Sequence, residues 1–120
     1  MSFPTITFKQ TNVTVDEQLV SLLEQKLVTL EKFIGEAPSL CEAEFEKVTH
    51  HQNGDVHRVE VNLQVNGKLY RAEATEDSFE KAIDEVRSEL DKELGRARDK
   101  EDTLLKKGGR KIKELLRFGR

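Results

Sequence analysis

The stretch VEVNLQVNGKLYRAEAT, residues 59–75, constrains this chain more than any other. Val59, Val61, Leu63 and Val65 alternate with polar residues, which is the period of a strand with one buried face. Asn66-Gly67 then interrupts the run, and KLYRAEAT resumes it. An Asn-Gly pair between alternating segments is the strongest short-range signal for a two-residue hairpin. Just upstream, LCEAEFEKV alternates as strictly, with Cys41, Ala43 and Phe45 on one side and Glu42, Glu44 and Glu46 on the other. The loop THHQNGD between them carries a second turn signal, Asn53-Gly54. Three consecutive antiparallel strands are expected.

Helical periodicity flanks this core. After an alternating segment, TITFKQ, the residues Leu19, Leu23, Leu27, Leu30 and Ile34 recur every three or four positions and make one apolar stripe. Thr14 with Glu17 predicts a capping box at its start, and Gly35 followed by Pro38 predicts its end. Downstream, Phe79, Ala82, Ile83, Val86, Leu90 and Leu94 form a second stripe, with Asp77 and Glu80 as its capping pair. Gly95 disfavours continuation by about 1 kcal/mol relative to Ala, so the regular domain is expected to end near it. The order β-α-β-β-β-α predicts an α+β two-layer sandwich. Its sheet is four-stranded and mixed, with both helices on one face and the other face open to solvent. That arrangement is like the double-stranded-RNA-binding fold. Residues 1–95 form the domain and 96–120 a basic tail in this division.

Charge separates the two parts. Residues 104–120 hold seven Lys or Arg and one acid, Glu114, for a net +6, whereas residues 1–103 hold 13 basic and 22 acidic residues, a net −9. Such asymmetry points to a polyanionic partner, nucleic acid or an anionic membrane. Between them, RARDKEDT (96–103) balances its charges and reads as a linker. In the tail, Ile112, Leu115 and Leu116 can stripe a short helix after Gly108-Gly109, but about eight residues are marginal as a helix without a partner surface. No apolar run approaches the ~20 residues of a membrane span. The single cysteine, Cys41, cannot form an internal disulfide, and a cytoplasmic location is expected.

Chemistry-bearing constellations are sparse. His50, His51 and His57 sit in or beside the first hairpin loop at a spacing that fits no metal-ligand pattern, and a solvated loop is expected rather than a metal site. Cys41 has no nucleophile motif around it, and no phosphate-binding loop or G-x-S-x-G appears. Neither catalysis, cofactor nor small-molecule substrate is expected. The basic residues carry more. Lys26 and Lys32 lie off the leucine stripe, Arg58 and Arg71 face outward on the hairpin strands, Lys68 is at its turn, and Lys92, Arg96 and Arg98 lead toward the tail. Such side chains supply the sequence-independent part of nucleic-acid affinity. Local neutralisation competes with this role: Lys81 is expected to pair with Glu85 four residues on.

These residues together resemble a family. TNVTVDEQLVSLLEQKLVTLEKF is similar to the opening strand and helix of the ribosome hibernation promoting factors, or ribosome-associated translation inhibitors. The K-L-x-x-L-E-K-[FY] pattern falls on Lys26-Leu27, Leu30, Glu31, Lys32 and Phe33. The hairpin resembles the family's next segment, including Ala72-Glu73-Ala74 and Ala82-Ile83-Asp84, and the likeness covers about residues 5–100. It implies a monomer that binds the small ribosomal subunit, its RNA and neighbouring proteins, at the decoding region. There it would exclude mRNA and A- and P-site tRNA and protect idle ribosomes in starvation or stationary phase. The resemblance carries contacts over to Lys26, Lys32, Lys92, Arg96 and Arg98; charge and position add Arg58, Lys68 and Arg71, and Lys106, Lys107, Arg110, Lys111, Lys113, Arg117 and Phe118 of the tail are expected to lie along the RNA. Glu89 and Gly95 depart from the family's basic pattern in helix two. The short remainder after Leu94 resembles the short form, without a ribosome-pairing domain. The alternatives are a general RNA-binding module, or a protein- or membrane-interaction module with a basic tail.

Overall fold

A computed structural model describes residues 3–49 and 55–106. Strand β1 (Ile6–Thr11) leads into α1 (Glu17–Val28) and a single 3₁₀ turn (Glu31–Phe33). Strands β2 (Ser39–Lys47), β3 (His57–Val65) and β4 (Lys68–Glu76) follow, and α2 (Phe79–Lys106) closes the fold. The sheet runs β1-β2-β3-β4, with β1 parallel to β2 and the other pairs antiparallel. This is the α+β sandwich with a mixed four-stranded sheet that the element order predicts.

Register explains the core. Cys41 stands opposite Ile6 and Leu63, Ala43 opposite Val61, and Phe45 opposite Val59, so one row of inward side chains continues across neighbouring strands. The helices bury Leu23, Leu27, Ile83, Val86 and Leu90 against these rows. Phe45 meets the edge of Phe79 at 5.4 Å between ring centres. The β3–β4 turn has Asn66 at φ 53° and Gly67 at φ 86°, the two positive angles of a type I′ hairpin. The Asn66 N–H donates to the Pro38 carbonyl at 2.8 Å, fastening the turn to the entrance of β2.

The helix boundaries differ from those expected. Val15 N–H donates to Gln10 Oε1, which holds the approach to α1 against β1. The cap therefore falls on Asp16, whose Oδ1 accepts from Leu19 N–H at 2.9 Å, rather than on Thr14. The α-helix stops at Val28, but the 3₁₀ turn carries the apolar stripe onward, so Leu30 and Ile34 are still buried; Gly35 at φ 60° ends it. At α2, Ser78 Oγ replaces Asp77 as the acceptor for the Lys81 N–H, while the Lys81 ammonium pairs with Asp77 instead of Glu85. Most consequentially, α2 runs through Gly95 to Lys106, so residues 96–103 are helix and not linker. Leu90 and Leu94 anchor that helix in the core on the near side of Gly95. Among the described residues, no helix is long and apolar enough to cross a membrane.

Candidate nucleic-acid interface

The fold sorts the basic residues into two environments. On the open sheet face Arg58 is a hub. Its guanidinium reaches Glu46 at 2.9 Å, Glu44 at 3.6 Å, and Glu60 and Glu73 at 2.5 Å. Strand parity puts all these side chains on the face away from the helices, and cross-strand register brings them together. Arg71 adds a contact to Glu60 at 2.6 Å. Burial opposes the charge on Arg58, but its hydrogen bonds with Glu73 and Glu60 outweigh that and hold it well above its ordinary range. Burial likewise pushes the Glu60 carboxyl up, and hydrogen bonds from Arg71, Arg58 and Asn62 overcome this and lower it to about 2. Arg58 is thus neutralised by its own sheet.

The other group gathers where the 3₁₀ turn, the β3–β4 turn and the C-terminal half of α2 meet. Arg98 lies over the Phe33 ring at 4.8 Å and Lys32 approaches the same ring at 5.2 Å, while Lys68 sits 5.3 Å from the Tyr70 ring. Two grooves of about 400 Å³ share Lys68, Tyr70 and Ala97. One runs along the edge of β4 past Arg96 and Lys100, and the other runs past Phe33 and Arg98. Arg96 is 69% exposed although it pairs with Glu93 at 3.0 Å. Cations alternating with half-buried rings suit an RNA strand, the cations meeting phosphates and the ring edges offering stacking surface.

The remaining expected residues fall elsewhere. Lys26 bridges the helices through Asp84 at 3.1 Å, and Lys92 is exposed one turn before Arg96, outside both grooves. Lys106 is the last residue of α2; Lys107, Arg110, Lys111, Lys113, Arg117 and Phe118 lie outside the described residues, as do His50 and His51. His57 is not in a solvated loop. It opens β3 with its ring packed edge-on against Phe79 at 4.8 Å, and its buried Nδ1 has no hydrogen-bond partner among the described residues. Cys41 faces the core, where burial and the neighbouring Glu42 charge push its thiol up to about 12. Sequence reasoning did not place Phe33, Tyr70 and Lys100 among the candidate residues that this end of the fold brings together. Tyr70 was readable as an aromatic beside a turn lysine, but the meeting of Phe33 with Arg98 is a tertiary event with no local signature.

The family model for sigma 54 modulation protein / S30EA ribosomal protein matches residues 5–102. Two solved structures share the fold. One is the N-terminal domain of protein Y from Thermus thermophilus, with a TM-score of 0.64 at 18% identity over 76% of this chain and 96% of that one. The other is a ribosomal subunit interface protein from Coxiella burnetii, with a TM-score of 0.61 at 21% identity over 78% of this chain and 97% of its own. No curated protein matches this chain.

Proposed function

Because this chain belongs to the sigma 54 modulation protein / S30EA ribosomal protein family, we propose that it is a ribosome-associated translation inhibitor of the hibernation type. It binds the small subunit at the decoding region, excludes mRNA and A- and P-site tRNA, and stabilises idle ribosomes. The role is one of binding, not catalysis, exercised in the cytoplasm by a protein that is monomeric when free of the ribosome.

The observation that carries this reading is the cationic and aromatic end built from Lys32, Phe33, Lys68, Tyr70, Arg96, Arg98 and Lys100. Folded ribosomal RNA is recognised largely by shape and phosphate contact, and a compact wedge with one positive end meets that requirement. An acidic remainder is compatible, since only the contacting surface must be positive. Arg58 and Arg71, engaged with glutamates on the sheet, contribute little to RNA contact in this reading. Lys106 and the basic residues beyond it extend the interface along the RNA backbone.

Sedimentation with purified small subunits, large subunits and intact ribosomes at two salt concentrations tests the proposal. Pelleting with small subunits and intact ribosomes, reduced by added mRNA or tRNA, is expected. The paired change Lys68→Glu and Arg98→Glu should weaken binding and reduce the salt slope by about 2, roughly one unit per lost phosphate contact. Equal binding to any bulk RNA would replace the proposal with a general RNA-binding role. Absence of pelleting would overturn it.

A further inference from the structure

We propose that the open face of the sheet is a docking surface for the chain's own segment 107–120. The face carries the means to hold it. Leu40 and Leu69 are 54% and 58% exposed, and both stand opposite Gln64, so they occupy one row across β2, β3 and β4. Two strand spacings separate them, about 10 Å. Large aliphatic side chains flanking exposed Gln64 in one row, on a sheet face with no covering layer among the described residues, offer a partner an apolar strip that is broken at its centre. Around that strip the outward rows of the sheet hold five glutamates against Lys9, Arg58 and Arg71, and Glu42 has no ion-pair partner among the described residues.

The segment has the complementary chemistry. Residues 107–120 contain six Lys or Arg and one acid, with Ile112, Leu115, Leu116 and Phe118 as their apolar members. On a helix the three aliphatic residues share one side, and a helix this short needs a surface to form against. Position also favours this occupant. The groove at the edge of β4 has Lys68, Leu69 and Arg71 on one wall and Arg96, Ala97 and Lys100 on the other, so α2 leaves the domain beside Leu69. The six helical residues after Lys100 advance about 9 Å. The fourteen residues beyond Lys106 reach at most about 46 Å. Gly108-Gly109, free of side-chain restriction, allows the chain to reverse onto the face. The docked segment buries its leucines on Leu40 and Leu69 and leaves its cations over the glutamate rows. RNA and the sheet then compete for the same basic segment, and the domain holds it until a stronger polyanion arrives.

A spin label at Gly119→Cys in the full chain tests this directly, because buried Cys41, with its thiol pushed up to about 12, stays unmodified. The expected result is loss of amide signal intensity at Leu40, Gln64 and Leu69, recovered at high salt and in the Leu40→Ser, Leu69→Ser variant. These two leucines are exposed, so the variant keeps its core. Signal loss confined to the C-terminal turns of α2 would overturn the proposal. Signal loss on the sheet that arises only between labelled and unlabelled molecules in a mixed sample would also overturn it, assigning the face to a second copy.

Discussion

Arg58 shows how a side chain can be read for its direction and not for its role. Its outward placement on β3 follows from alternation with Val59, but its four carboxylate partners come from β2, β3 and β4, and only the register brings them within reach. Replacing it by glutamine leaves Glu44 and Glu46 without their cation, and Glu60 and Glu73 with Arg71 alone. A loss of about 1–3 kcal/mol in urea unfolding at neutral pH is expected. The acid limb changes as well. Glu60 sits below its ordinary value in the folded chain, so its stabilisation is present above about 4.5 and is lost as pH falls toward about 2. In Arg58→Gln that carboxyl rises, and the decline of stability across this window becomes shallower. An unchanged acid profile would mean that Arg71 alone sets the Glu60 charge. Ribosome binding by this variant should keep the wild-type salt slope, since Arg58 is spent on its own sheet.

At the scale of elements, alternation and 3.6-residue periodicity placed all six regular elements, whereas their ends escaped. Ends are decided by single hydrogen bonds, such as Asp16 to Leu19 and Ser78 to Lys81, and neighbouring Thr14 and Asp77 offer side-chain oxygens that can also accept a capping bond. Gly95 is the sharpest case. Its intrinsic cost of about 1 kcal/mol argues for a stop, but the helix continues to Arg98, which reaches back over Phe33. A methyl group at Gly95 would meet nothing within 4 Å. Gly95→Ala should therefore raise stability by about 0.5–1 kcal/mol, read as a higher urea midpoint with an unchanged slope. Gly67→Ala makes the opposite prediction. Its site is equally open, but φ of 86° strains any Cβ, and a loss of about 1 kcal/mol is expected in the same measurement.

For the molecule as a whole, the charge count points to a polyanionic partner without locating the contact, because a sum carries no geography. Folding separates the charges. The cations and the aromatic rings they cover collect beside the β3–β4 turn, while Glu76, at the other end of β4, is raised above its ordinary value by a hydrogen bond and repulsion with Glu85. Such polarity orients the approach to a polyanion. Stopped-flow association with small subunits should slow steeply as salt is raised, and Lys68→Glu with Arg98→Glu should flatten that dependence. The same layout also bears on how the molecule assembles. Among the described residues β1 pairs only with β2, and Ile6 must find Cys41 across the whole of α1, while Val65 and Lys68 are joined by a two-residue turn. Closing that long loop is the slower event. The hairpin and α2 can therefore consolidate first, and the N-terminal strand, though synthesised earliest, takes its place at the sheet edge last.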